Sequence, residues 1–190
     1  MDRERSESEE RGRYWLALGL TVVGGLARLI PHPPNFTPVG GMSLFAGARL
    51  RGWQAYCVPL LLMAATDPIL SWAVGFSAYS YATPFIYTSF LINVWIGRRL
   101  LTRAITPVRF AGAVLLGSTQ FFLITNFAWF QISGTYPLNG AGLLASYVAA
   151  LPFFGRTLAG DFAYAGALFG LHAWLERYGA PRKEAVQESA

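Results

Sequence analysis

RLIPHPPNFTPVGG, residues 28–41, decides how this chain is read. It joins one apolar run to the next, yet it carries an arginine, a histidine and four prolines. Thr37 is a residue type that caps helix amino termini, and Pro38 suits the first helical position. The helix that starts there runs to about Leu50, where Arg49 and Arg51 mark a membrane face. Residues 37–50 would rise roughly 21 Å, against a hydrocarbon core of roughly 30 Å. The second span therefore starts below one surface, and the turn PHPPNF dips into the membrane. Irregular backbone at that depth is tolerated where it is buried in protein or lines a watery cavity. The turn is expected to floor an outward-facing cup, with the helix start aiming free N–H groups and a positive dipole end into it. Such a floor favours a ligand with anionic or carbonyl oxygens. A tight external turn with local bilayer thinning is the plainer alternative.

Composition points to the same setting. Of 190 residues, 54% are hydrophobic and 13% charged, about half the charge of an ordinary soluble domain. Most of the charged residues lie before Tyr14 or after Leu175. The expected fold is all-α: a polytopic membrane protein with six transmembrane helices and both termini cytoplasmic. Residues 1–13 and 177–190 read as polar cytoplasmic tails around one membrane domain, 14–176. The spans are Tyr14–Ile30, Thr37–Leu50, Trp53–Leu70, Tyr79–Ile96, Val108–Phe130 and Phe153–Leu175. A short re-entrant or interfacial helix, Gly140–Ala150, precedes the last one.

The loops test this count. With the amino terminus inside, all basic residues except Arg28 and Arg156 fall on the cytoplasmic side, as the positive-inside rule requires. Trp15, Trp53, Trp95 and Trp174 mark cytoplasmic ends of spans, and Trp72 and Trp129 external ends. Tryptophan belts at both interfaces are the usual pattern. The formal charge of +5 is therefore spent on orientation and membrane lipid, and no basic stripe indicates a nucleic-acid partner. PHPP stands where a signal peptide would need a small-residue cleavage site, so the first run reads as a retained helix. Cys57, the only cysteine, excludes an intrachain disulfide and any multi-thiolate metal site. No metal site or cofactor is expected.

Few polar groups remain once tails and loops are removed. Arg28, His32, Asp67, Arg156 and Asp161 all fall at the external side or in the outer leaflet, with Asn35, Thr37, Thr125 and Asn126 in the same layer. A lone charge near a helix centre costs roughly 2.5–3.5 kcal/mol on insertion scales, so these groups are expected to pair or to face water. Arg156 and Asp161 point about 140° apart on one helix, which makes Asp67 with Arg28, and Asp161 with a residue of another span, the expected contacts. Arg28, His32, Asn35, Thr37, Asp67, Asn126, Arg156 and Asp161 are the candidate substrate-binding residues. The alternative is a set of interhelical ties with no ligand. In the first span, Ala17, Thr21 and Gly25 form a small-residue stripe, suited to internal packing or to docking a partner membrane protein.

The stretches RLIPHPPNFTPVGGMSLFAGA, TDPIL, ITNFAWF and LPFFGRTLAGDFAY together resemble a family of small bacterial membrane proteins related to the substrate-binding S-components of energy-coupling factor (ECF) vitamin transporters. The closest characterised branch is the solitary cobalamin-uptake S-component. The resemblance implies six helices, an external pocket and uptake of a vitamin, with cobalamin as candidate, across the bacterial inner membrane. It also implies a separate ECF-type transmembrane component with ATPases, contacted through a small-residue pattern that Ala17, Thr21 and Gly25 match in size. Cys57 falls at the cytoplasmic end of its span, which puts the cobalt–thiolate contact of the cobalamin branch in doubt.

Two other functions compete with solute uptake. An intramembrane enzyme would pair Asp67 with Asp161, or His32 with Asp67, for acid–base work, but no GxSxG, HExxH or related motif accompanies them. A structural or accessory subunit would use its charges only as ties between helices.

Overall fold

The computed structural model describes residues 2–75 and 77–178. Six helices follow one another: α1 (Asp2–Leu26), extended by a 3-10 turn at Ala27–Leu29, α2 (Val39–Arg49), α3 (Gln54–Val74), α4 (Thr83–Leu100), α5 (Pro107–Ile132) and α6 (Gly140–Tyr178). No strand occurs among the described residues. α3, α5 and α6 are each long and apolar enough to cross a membrane.

The shortest helix is the centre of the bundle. α2 has only 11 residues, a rise of about 16 Å, and Val39 through Ala48 are all buried. It packs against every other helix. Its closest seam is with α4, where a Cβ on Gly47 would lie 1.9 Å from the Val94 carbonyl oxygen. Reciprocally, a Cβ on Gly97 would lie 2.0 Å from the Leu44 oxygen. Two backbones meet there with no side chain between them, so neither position accepts anything larger than glycine.

Two boundaries differ from expectation. α1 begins at Asp2, so most of the polar 1–13 segment continues the first helix instead of forming a separate tail. The 177–190 segment lies, past Tyr178, outside the described residues. The separate helix expected at Gly140–Ala150 does not exist; it is the first part of the 39-residue α6, which runs on through Pro152. It packs against α5 on both sides of the proline. The Tyr147 hydroxyl donates to the Leu123 carbonyl at 2.8 Å, and the Phe122 ring lies 5.6 Å from Tyr147 and 5.0 Å from Phe154. A proline breaks a helix when nothing replaces its lost bond; here side-chain contacts span the weak point. All six tryptophans are exposed, as belt residues should be.

Candidate functional site

Pro31, Pro33, Pro34 and Asn35 of the prolyl turn are exposed, and the turn is anchored at its far end, by the half-buried Phe36. Phe36 packs its ring 5.6 Å from Tyr164, and a Cβ on Gly160 would come within 3.1 Å of the Phe36 Cα. Gly160 is 20 residues beyond the start of α6 at Gly140, about 30 Å along the helix. The turn is thus pinned half-way down the longest helix. Asn35 takes a left-handed backbone conformation, φ 66°, which asparagine tolerates better than most residues.

Immediately past the turn, α2 begins at Val39, with the Thr37 hydroxyl oxygen 3.4 Å from the Val39 nitrogen. The third N–H of this helix, that of Gly41, donates to the carboxylate of Asp161 from α6. Asp161 is 3% exposed, and its Oδ2 also accepts from the Ser118 hydroxyl of α5 at 2.6 Å. A Cβ on Gly40 would fall 2.0 Å from Asp161 Oδ1, so glycine is what lets the carboxylate approach. A carboxylate at a helix amino end is favourable by about 0.3–1 kcal/mol, more when buried. This corrects the expected anion-binding floor: the chain fills the positive end of α2 with its own carboxylate.

Arg28 and Asp67 form a second, separate cluster. Arg28 Nη1 donates to Asp67 Oδ1 at 2.7 Å and to Thr66 Oγ1 at 2.9 Å. The Tyr87 hydroxyl of α4 donates to the other carboxylate oxygen of Asp67, and Thr66 donates onward to the Leu62 carbonyl at 2.7 Å. The expected Arg28–Asp67 contact is therefore present, as a tie among the turn after α1, α3 and α4. Asp67 and Asp161 share no partner, so no carboxylate dyad forms.

Two cavities adjoin the turn. A small chamber of about 50 Å³ is lined by Asn35, Thr37, Gly40, Phe90, Phe121, Thr157 and Asp161. A larger one of about 580 Å³ shares Asn35, Phe121 and Thr157 with it. Its other walls are Ala82 and Ile86 at the start of α4, Phe122, Thr125, Asn126 and Trp129 on α5, and Tyr136 in the following loop. Ser146, Ala149, Ala150, Phe153 and Phe154 of α6 complete it. These residues belong to the end of the bundle opposite Arg98 and Arg99 on α4, Arg109 on α5 and Arg177 on α6. The volume lies within the roughly 300–1,000 Å³ of small-molecule sites.

The candidate residues thus scatter. Asn35 and Asn126 line the large cavity, and Asn35, Thr37 and Asp161 the small chamber. Arg28 and Asp67 line neither. The His32 ring nitrogen Nδ1 lies 3.1 Å from the Pro33 carbonyl, local to the turn and off both walls. Arg156 is exposed and lines neither cavity. The single charged cluster expected at one depth resolves into a tie, a helix cap and an isolated cation, because each acidic group found hydrogen-bond donors nearer than the other cations. Ala17, Thr21 and Gly25 are buried; Thr21 donates to the Ala17 carbonyl at 2.8 Å, and a Cβ on Gly25 would strike Leu62 at 2.7 Å. The stripe is consumed by internal packing and is no open docking face.

What sequence reasoning missed is the aromatic wall. Six of the 15 residues lining the large cavity are aromatic, and none is Asp, Glu, Lys, Arg or His. The legible signal was a Phe-Phe pair on each of two facing helices, Phe121–Phe122 and Phe153–Phe154. No curated protein and no solved structure matches the chain. A family model spans residues 8–183, and the chain belongs to that family, the family of unknown function DUF6580.

Proposed function

We propose that this protein is a multi-pass membrane protein of six spans, with both ends cytoplasmic, that binds a small solute from the external side for uptake. One observation carries the reading: a cavity of about 580 Å³ lies against the prolyl turn at Asn35, at the end of the bundle away from the arginine clusters. A closed scaffold has no need of an open cleft of that volume. The bacterial inner membrane is the proposed location, following the resemblance to ECF S-components.

The vitamin-uptake reading is carried forward in a narrower form. A cavity of this size suits a drug-sized solute, and a corrinoid would enter it only in part. An ECF-type transmembrane partner with ATPases remains the proposed energy source, docking on a face other than Ala17, Thr21 and Gly25. No bond-breaking chemistry is assigned to the site, since its wall carries no acid–base pair.

The test is thermal stabilisation of the purified chain by a panel of vitamins and other small solutes, corrinoids included. At least one is expected to raise the unfolding temperature, and Ala149→Trp, which fills the cavity, is expected to abolish that rise while leaving the unliganded protein folded. Stabilisation that persists in Ala149→Trp would place binding elsewhere and overturn the reading.

A further inference from the structure

The walls of the large cavity define the chemistry of what fits there. We propose that it takes an uncharged, planar heteroaromatic solute whose edge both donates and accepts hydrogen bonds. This inference rests on the solute-binding reading of the same cavity and names its substrate class.

The lining holds no ionised side chain, so a charged solute would give up hydration with no counter-charge in return. That loss is several kcal/mol for an isolated ion even after relaxation. Asp161, which lines the adjoining small chamber, is already held by Ser118 and by the Gly41 N–H. Flat shape follows from the rings. Phe122 and Phe154, with centroids 5.0 Å apart, stand in one wall, and Phe121, Phe153, Trp129 and Tyr136 add further π surfaces. Aromatic pairs are worth about 0.5–1.5 kcal/mol beyond the area they bury, and a planar ring laid against this wall collects that gain.

The polar groups then fix the edge. Thr125 and Thr157 already donate their hydroxyl protons to the Phe121 and Phe153 carbonyls, so they offer only acceptor lone pairs. Ser146 differs. It is 3% exposed, lines the cavity, and its Oγ is buried with no hydrogen-bond partner. A buried hydroxyl left unpaired costs about 1–3 kcal/mol; the Oγ is closed off from the empty cavity, and a turn about χ1 to another staggered rotamer brings it to a ligand that recovers that loss. Asn126 commits one amide N–H to the Phe122 carbonyl at 2.8 Å, which leaves a second N–H and its carbonyl oxygen to spend. Ser146 and Asn126, on facing helices, therefore offer one flexible donor–acceptor and one fixed donor–acceptor pair, the complement of a lactam or imide edge.

The experiment uses the full chain in lipid nanodiscs and equilibrium dialysis with three probes. Lumichrome and inosine are uncharged rings with such an edge; inosine monophosphate adds a charged phosphate to the latter. Lumichrome or inosine is expected to bind saturably, with inosine monophosphate at least about tenfold weaker than inosine. Ser146→Ala is expected to weaken the uncharged probe about three- to tenfold without lowering the unfolding temperature of the empty protein, because it deletes an unpaired group. Asn126→Leu serves as the second variant, with a loss of the same order. Inosine monophosphate binding as tightly as inosine would overturn the substrate class, as would Ser146→Ala and Asn126→Leu both leaving affinity unchanged. In those cases solute binding itself stands. If neither these probes nor any member of the vitamin panel binds, both readings fall together.

Discussion

Asp161 on α6 caps α2 across the bundle: its carboxylate takes the Gly41 N–H and the Ser118 hydroxyl at once. Three helices therefore converge on one buried side chain. Removing the carboxylate leaves two donors unpaired in a dry site. Asp161→Ala is expected to cost about 2–4 kcal/mol, and Asp161→Asn less, because the amide oxygen still accepts one bond. Thermal unfolding in a fixed detergent checks both, and an Asp161→Ala variant as stable as the parent would remove the capping role.

The same contact predicts a coupling with Gly40. A methyl group there would collide with Asp161 Oδ1 at 2.0 Å, so Gly40→Ala is expected to destabilise by about 1–3 kcal/mol, as overpacking does. In the double variant Gly40→Ala with Asp161→Ala, the collision is gone, and the total loss should fall short of the sum of the singles by about 1 kcal/mol or more. Simple additivity would show that the two residues do not touch.

The Arg28–Asp67 tie makes a prediction that separates scaffold from site. Side chains only 16% and 13% exposed leave an awkward orphan when one partner is lost. Arg28→Ala and Asp67→Ala are each expected to cost about 3 kcal/mol, with the double variant closer to one single than to their sum. Tyr87→Phe should cost about 1.5–3 kcal/mol, one hydrogen bond to a charged group. Solute affinity, measured where each variant is still folded, should be unchanged. A selective loss of affinity in Arg28→Ala would put the guanidinium back in the binding site.

Orientation is checked chemically. Cys57 is the only thiol, so a Cys57→Ser background allows single reporters. Thr135→Cys, in the loop before α6, is expected to react with a membrane-impermeant maleimide on intact cells. Thr102→Cys, just past α4, should react only after lysis. Labelling of both from outside, or the reverse pattern, would overturn the six-span, ends-inside arrangement.

The helix count was legible because apolar runs and charged loops alternate cleanly, and the brevity of α2 was legible from the spacing of Thr37, Pro38 and Arg49. Pro152 hides the continuity of α6. A local rule breaks the helix there, whereas Tyr147 and Phe154 flank the proline and dock on α5. The site was harder. Charged residues in an apolar chain draw the eye, yet Arg28 and Asp67 bond each other and Asp161 holds Ser118 and Gly41, as structural bonds. Phe121, Phe122, Phe153 and Phe154 read as ordinary core, since nothing in a one-dimensional apolar run says which rings face a void. Ser146 was invisible for the same reason: serine on an apolar helix is unremarked until its hydroxyl is found without a partner.

The glycine crossing of α2 and α4 limits how this molecule can move. With Gly47 seated on the Val94 carbonyl and Gly97 on that of Leu44, a slide of one helix past the other by a fraction of a turn drives oxygen into a neighbouring side chain. That crossing behaves as a locked axle. α5 and α6 meet along the cavity through aromatic rings, so if the bundle opens for a solute, that pair and not the axle has room to give.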